Sequence, residues 1–568
     1  MNTAWTEVTV KRSIPLPLGP RDGDAAPRTA LAGGQGVPGV GHVTLASALA
    51  FAAVLGCANG PARSPAAQTK APSLAVTAST PASTTATIGH PGAAGGSANP
   101  AGPWAPTVQM RVGPEEPFRA RPPEPGSVRP LRVPSIRTTH LKNGITVLLA
   151  EQHALPLVDV AWVVDAGAEH QATHQAGLAG LVASMLDEGT TKHDAISLAD
   201  ALDTLGAALH AQADHDAVVI QLESLRRTFT SALPLAAETL LTPIFPQKDL
   251  DRLRTERLTT ILQQRDLPRV VSQNALMAAL YGAQHPYGVP LIGTEPSVKA
   301  TTVADLVSFW KQRYRPDRAQ LVVVGDITLD EALPLLEQSI GRWRTAAVKP
   351  ASVAAPRLTP PQPKVLLIDK PGAPQTELRV GARGLTRTSG DYYAVEVMNA
   401  VLGGMASSRL FTNLRQKHGY TYGVYSSFDC RKGPGPFVAG GAIRTDVTVP
   451  ALTELLGELK RIREQPVDAD ELARAKSSLI RALPSRFEDA RATAAAIAEL
   501  VVYRLPLDYY NQYARAVEAI TPAEVQRVAR TYLDLDHLAV VLVGDKQTIE
   551  KPLRQAAKGL GIGPIEVQ

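Results

Sequence analysis

Leu321-Val322-Val323-Val324-Gly325-Asp326 returns, nearly letter for letter, as Val540-Val541-Leu542-Val543-Gly544-Asp545, 219 residues later. Each is a short apolar run rich in β-branched residues and closed by Gly-Asp, the pattern of a strand buried on both faces and stopped by a turn. Earlier in each copy, residues 144–149 lead to a strand-like stretch over 157–167, and residues 365–368 lead to one over 378–384. Leu148 and Leu367 stand at the same offset of 219, so the chain reads as a duplicated domain. Each copy also contains an antiparallel-looking pair, 207–213 with 217–223 and 420–429 with 437–444, among amphipathic helical stretches. Strands and runs of helices without regular βαβ alternation indicate α+β domains, each a mainly antiparallel sheet flanked by helices. The expected domains span 135–345 and 364–568, joined by a Pro- and Ala-rich linker over 346–363.

The 568 residues are too many for one core, and the 44% hydrophobic and 20% charged content is globular. A net charge of +5 is dilute over this length, and no Lys/Arg run is interleaved with aromatics, which argues against nucleic acid as a partner. Residues 43–56 form an apolar run too short to cross a bilayer as a helix and suited to the core of a signal peptide. The run ends in Val54-Leu55-Gly56-Cys57, which resembles a bacterial lipobox. That resemblance implies cleavage before Cys57, lipidation of its thiol and a body tied to a membrane in the bacterial cell envelope, facing the periplasm. Residues 1–57 are then a leader, and 58–134, rich in Ala, Pro, Ser, Thr and Gly, a disordered tether. With Cys430 the only other cysteine, no disulfide framework is available.

Gly177-Leu178-Ala179-Gly180-Leu181-Val182-Ala183-Ser184-Met185-Leu186-Asp187-Glu188-Gly189-Thr190 predicts a packed helix, with Leu178, Leu181, Val182, Met185 and Leu186 on one stripe. Downstream come His285-Pro286-Tyr287-Gly288, Gly293-Thr294, Tyr314-Arg315-Pro316 and the closing Val-Val-Gly-Asp. In this order the blocks resemble the pitrilysin/insulinase family of zinc peptidases, over about residues 137–550. The resemblance implies a duplicated, mitochondrial processing peptidase-like fold. In that family the helix carries H-x-x-E-H, whose two His bind zinc while the Glu activates water. Here the matching positions are Gly180, Ala183 and Ser184, and the family's third ligand, a Glu seven residues after the acid matched by Glu256, falls on Gln263. No zinc is therefore expected in this chain. His170 and His174, four apart, are the strongest candidates for a relocated metal pair, with His210 and His215 beyond them.

The second half retains more. Residues 402–415 and 419–426 closely resemble the segment in which the family's Arg, and a Tyr seven residues later, hold substrate backbone opposite the zinc; Arg415 and Tyr422 have that spacing. Arg409 fits it less well. The glycines Gly403, Gly404, Gly419 and Gly423 suggest a flexible setting open to a peptide backbone. Some bacterial members divide the work between a zinc-bearing subunit and a partner that carries the Arg/Tyr pair. By resemblance this chain is the second kind: a non-catalytic, peptide-binding subunit of a heteromeric metallopeptidase whose zinc sits in a sibling with intact H-x-x-E-H. The alternatives are a purely structural scaffold and a self-sufficient metallopeptidase with unorthodox ligands.

Overall fold

The computed structural model describes residues 126, 131, 133–344, 358 and 364–568. The leader with Cys57, nearly all of the tether and all of the linker but Leu358 lie outside these residues. Two six-stranded sheets carry the fold. The first contains β1 (Arg137–His140), β2 (Thr146–Glu151), β3 (Leu157–Val164), β4 (Ala208–Ala213), β5 (Val218–Leu225) and β6 (Ala319–Gly325) in the order β1-β2-β6-β3-β5-β4. The second contains β7 (Lys364–Asp369), β8 (Gln375–Arg383), β9 (Tyr425–Phe428), β10 (Pro436–Arg444), β11 (Ala539–Gly544) and β12 (Ile565–Val567) in the order β12-β7-β11-β8-β10-β9. From β2 and β7 onward the two orders correspond strand for strand, which establishes the duplication. Only the outer edges differ: β1 pairs antiparallel with β2, whereas β12 pairs parallel with β7.

Four helices position the site: α1 (Leu178–Ser184), α2 (Gln247–Gln264), α3 (Pro268–Tyr281) and α4 (Ala490–Tyr503). One face of each sheet packs on helices of its own half. The other face is covered by a helix borrowed from the opposite half. Ala494, Ile497, Ala498 and Val502 of α4 lie against Leu148, Ala161, Val163, Val322 and Val324 of the first sheet. In return, Leu276, Met277 and Leu280 of α3 lie against Leu366, Val541 and Val543 of the second. The central strands are apolar on both faces because both faces are buried. The Ala-rich face of α4 lets its backbone come close to the sheet.

This exchange corrects the repeat register near its start. Leu148 pairs with Val322, and Leu366 pairs with Val541, so the counterpart of Leu148 is Leu366, at an offset of 218. Leu367 faces its own half's helices instead; a slip of one residue turns a strand side chain to the other face. Two other expectations are trimmed. The helix expected over 177–190 stops at Ser184, although Met185 and Leu186 remain buried. The strand expected from 420 begins at Tyr425, with only an isolated bridge from Thr421 to Ile443 before it.

The halves are also latched by charge. The β9–β10 loop enters the first half, where Lys432 Nζ donates to Asp165 Oδ1 (2.7 Å), Glu169 Oε1 (2.8 Å) and the Asp216 carbonyl (2.6 Å). Tyr287, from the His-Pro-Tyr-Gly block, donates to Asp216 Oδ1 (3.1 Å) and accepts from the Gly433 amide (3.2 Å). Arg431 lies over the Tyr287 ring at 4.6 Å. Burial alone would raise the Asp165 carboxyl, but hydrogen bonds from His170 and Lys432 outweigh it and hold the group well below the usual carboxylate range. Burial wins at Glu169, whose carboxyl is raised despite the same lysine. Replacing Lys432 by Met strands this acidic cluster; because Lys432 is 29% exposed, the expected loss is about 2 kcal/mol, below that of a fully buried pair. Urea denaturation monitored by circular dichroism measures it, and an unchanged midpoint would show that the latch adds nothing to stability.

Candidate functional site

α1 begins at Gly177, whose φ of +93° suits glycine, and where an added Cβ would stand 2.7 Å from the Ile292 carbonyl. The buried Gln171 side chain accepts from the Ala179 amide (2.9 Å) in the first turn. This is the helix whose sequence resembles the family's metal helix, but its chemistry differs. Gly180 and Ala183 offer no donor. Ser184 Oγ donates to the Gly180 carbonyl (2.9 Å) and accepts from Arg257 Nη2 (3.2 Å), while Arg257 Nη1 donates to the Gly177 carbonyl (3.0 Å). An added Cβ at Gly180 would meet the two terminal guanidinium nitrogens at 3.3 and 3.4 Å. Burial pushes the Arg257 pKa down to about 10, so the group is still cationic at neutral pH.

A guanidinium thus lies against the face of α1 on which the family carries its metal ligands. Zinc does not fit these residues: two of the three α1 positions lack a donor, the third is spent on the helix and on Arg257, and a cation already stands there. Arg257 escaped the sequence reading because nothing in its spacing separates it from the other arginines of α2. Gln263, expected as the third ligand position, is exposed, and α2 sends Arg257 to Gly180 instead. Glu256 is a surface charge paired with Arg252 at 3.0 Å.

The relocated metal pair does not form. His170 and His174 lie in separate 3-10 turns, and His170 Nε2 bonds to Asp165 Oδ1 (3.0 Å). Asp165, Glu169 and His170 present ligand atoms within 4.8 Å of one another, but the Lys432 ammonium is the cation bound to both acids. His215 is packed edge-on against Tyr287, and His210 lies on the edge strand β4.

In the second half, Arg415 and Tyr422 both face solvent. Arg415 lies in a π-helix, Phe411–Lys417, with its guanidinium 4.7 Å from the Phe411 ring; such wide turns recur at functional sites. Tyr422 is 87% exposed and Tyr425 42%. The loop beneath is pinned: Thr421 Oγ1 donates to the Ala442 carbonyl (2.6 Å), and the Arg444 amide donates to the Tyr420 carbonyl (3.1 Å). The pinned loop thus holds an aromatic ring outward into solvent. Arg409, by contrast, is buried and bidentate on Glu471 at 2.8 and 2.6 Å. The expected flexible glycines prove to be packing devices at three positions: an added Cβ would lie 2.4 Å from Ser426 Oγ at Gly403, 3.0 Å from Asn399 Nδ2 at Gly404 and 2.9 Å from the Tyr425 ring at Gly423.

Two family models match in succession, "Insulinase (Peptidase family M16)" over residues 146–295 and "Peptidase M16 inactive domain" over residues 300–479. The chain belongs to the M16 peptidase family. An uncharacterised zinc protease of Mycobacterium tuberculosis (strain ATCC 25618 / H37Rv) is 27% identical over 429 residues, 74% of this chain and 96% of that protein. A Helicobacter pylori protein named non-peptidase homolog YmxG is 24% identical, covering 71% of this chain and 92% of its own. The crystal structure of a peptidase M16 inactive domain from Pseudomonas fluorescens superposes with a TM-score of 0.67 at 28% identity, over 72% of this chain and 98% of that one. A Helicobacter pylori protease structure reaches the same TM-score at 18% identity, over 73% and 100% of the respective chains, a likeness of fold. This M16 member lacks the metal ligands and general base of H-x-x-E-H.

Arg257 makes the loss more than a matter of missing ligands. Restoring Gly180→His, Ala183→Glu, Ser184→His and Gln263→Glu is expected to leave the chain without stoichiometric zinc, because a guanidinium beside a divalent ion costs on the order of 4 kcal/mol per unit charge at about 4 Å and an effective dielectric near 20. Adding Arg257→Ala should admit the metal. Metal analysis after dialysis decides, and zinc in the fourfold variant would show that Arg257 is no obstacle.

Proposed function

We propose that the chain is a non-catalytic subunit that holds peptide for a zinc-bearing M16 sibling with intact H-x-x-E-H, and itself carries no zinc. The observation that carries this reading is the contrast between the two halves: a cation and small residues fill the metal position, while Arg415 and Tyr422 are held out into solvent on a pinned loop. Arg415 offers a rigid fork of N–H donors to peptide carbonyls and Tyr422 an O–H, and such donors can stabilise developing oxyanion charge at a partner's metal. The edge strand β4, packed beside α1, supports recognition of extended peptide by strand addition. The name of the Helicobacter pylori relative, a non-peptidase homolog, is consistent with this division of labour.

In the reconstituted pair, Arg415→Ala and Tyr422→Phe should each lower peptide turnover, by up to about 10²–10³-fold as for other donors to transition-state charge, with assembly intact on gel filtration. The double variant should be less than additive, since both groups act on one peptide. Full activity in the double variant would leave only the scaffold role.

The envelope location forms part of the same proposal and rests on Val54-Leu55-Gly56-Cys57. Cys57→Ala should remain unprocessed and leave the membrane fraction; a variant that is trimmed and fractionates like wild type would remove the lipid anchor from the reading.

A further inference from the structure

Arg415 and Tyr422 have no polar partners to hold them. Among the described residues neither side chain makes a hydrogen bond or an ion pair, and both face solvent. Their relative placement therefore rests on the backbone that carries each: the π-helix Phe411–Lys417 for Arg415, and the turn that follows it for Tyr422. A polar contact with the helix Thr448–Glu464 fixes that backbone. Asn413 Nδ2 donates to Glu454 Oε2 (2.9 Å) and to Glu458 Oε1 (2.9 Å), one turn apart on that helix. Glu458 Oε1 also accepts from Arg461 Nη1 (3.2 Å). The Asn413 carbonyl in turn accepts from the His418 amide (3.1 Å), the i+5 closure of the wide turn that contains Arg415.

The second oxygen of the same carboxylate reaches toward the other element. Glu454 Oε1 stands 3.9 Å from His418 Nε2, and the His418 ring is stacked on Tyr420 at 4.9 Å, two residues before Tyr422. One carboxylate thus faces both the π-helix with Arg415 and the residues that lead to Tyr422. The contact is not the cheapest way to pack these helices. Asn413 Oδ1, His418 Nε2 and Glu458 Oε2 are buried without a hydrogen-bond partner, and each such atom gives up solvation with no bond in exchange. An apolar side chain at 413 would fill the space without that cost. What the polar contact adds is direction: two acceptors one turn apart hold the amide, and with it the wide turn, in one orientation.

We propose that Glu454 is a positioning residue, which through Asn413 and His418 sets Arg415 and Tyr422 at the separation that one peptide backbone requires. This rests on the reading that those two side chains hold peptide. The precision of the site is then assigned to a group that acts through its neighbours. Such precision matters because a misplacement of about 1 Å in groups that must act together can cost about 10²-fold in rate.

The test uses the purified full chain and an N-terminally labelled, unstructured nonapeptide of mixed sequence, with binding read by fluorescence anisotropy and backbone order by hydrogen exchange over residues 411–422. Glu454→Ala should weaken peptide binding about tenfold, as when the competent arrangement falls to roughly a tenth of the population, and should speed exchange in 411–422 alone. Glu454→Gln, which still offers Asn413 an amide oxygen, should restore most of the affinity. In a background of Arg415→Ala with Tyr422→Phe, Glu454→Ala should cost nothing more, because it acts through those two side chains. A further loss in that background would mark a general structural defect and overturn the positioning role. Wild-type affinity in Glu454→Ala, with the Arg415/Tyr422 double variant weakened, overturns the positioning role and leaves peptide binding standing. Full affinity in the double variant, or no binding by the wild type, overturns both. Should Glu454→Ala fail to fold on thermal melting, Asn413→Ala breaks the same contact from the other side and is read in the same way.

Discussion

Each sheet has an apolar face that its own half does not cover, and the whole structure depends on how those faces are closed. α4 covers the first and α3 the second, so the burial that stabilises either half is contributed by the other. The helices cannot leave without exposing Val322, Val324, Val541 and Val543 to water. The polar latch follows from this contact: once the halves are locked through α3 and α4, the β9–β10 loop is close enough for Lys432 to reach Asp165 and Glu169. The apolar exchange supplies adhesion, and the ion cluster adds orientation.

Within that frame the first half has kept its helix and changed its chemistry. α1 needs glycine at 177, the Gln171 cap and a buried stripe, all of which serve packing. The ligand face has been rebuilt with one residue from α2: Arg257 bridges the Gly177 carbonyl and Ser184. The guanidinium of α2 thereby ties α2 to α1 through hydrogen bonds, with no metal needed for the contact. The second half shows the opposite economy. Arg409 and Gly403 are absorbed into packing, while Arg415 and Tyr422, in the same stretch of sequence, are not.

Much of this was readable in the chain. The Val-Val-Gly-Asp repeat reports a strand buried on both faces, and with the strand pairs around it gives the duplication and the α+β class. The H-x-x-E-H positions occupied by Gly180, Ala183 and Ser184 are local facts needing no coordinates. Helix length was less accessible, since Met185 and Leu186 are buried whether or not the helix continues. The register of Leu148 was misread because strand faces alternate residue by residue, and only pairing to β6 and β11 distinguishes Leu366 from Leu367.

The sequence by itself determined which side chains exist at the lost metal site, and that two copies of one domain are present, because identity and periodicity are properties of the chain. Only the tertiary structure decided what took the metal's place and which arginine is available. Arg257 reaches Gly180 across 77 residues of sequence, Arg409 is claimed by Glu471 while six residues later Arg415 is not, and the His-Pro-Tyr-Gly block turns out to receive a loop from the other half. Such outcomes depend on which groups meet at a few ångströms. Distance and desolvation, which set the strength of every charge and hydrogen bond here, are properties of the fold and are not written in the spacing of residues along the chain.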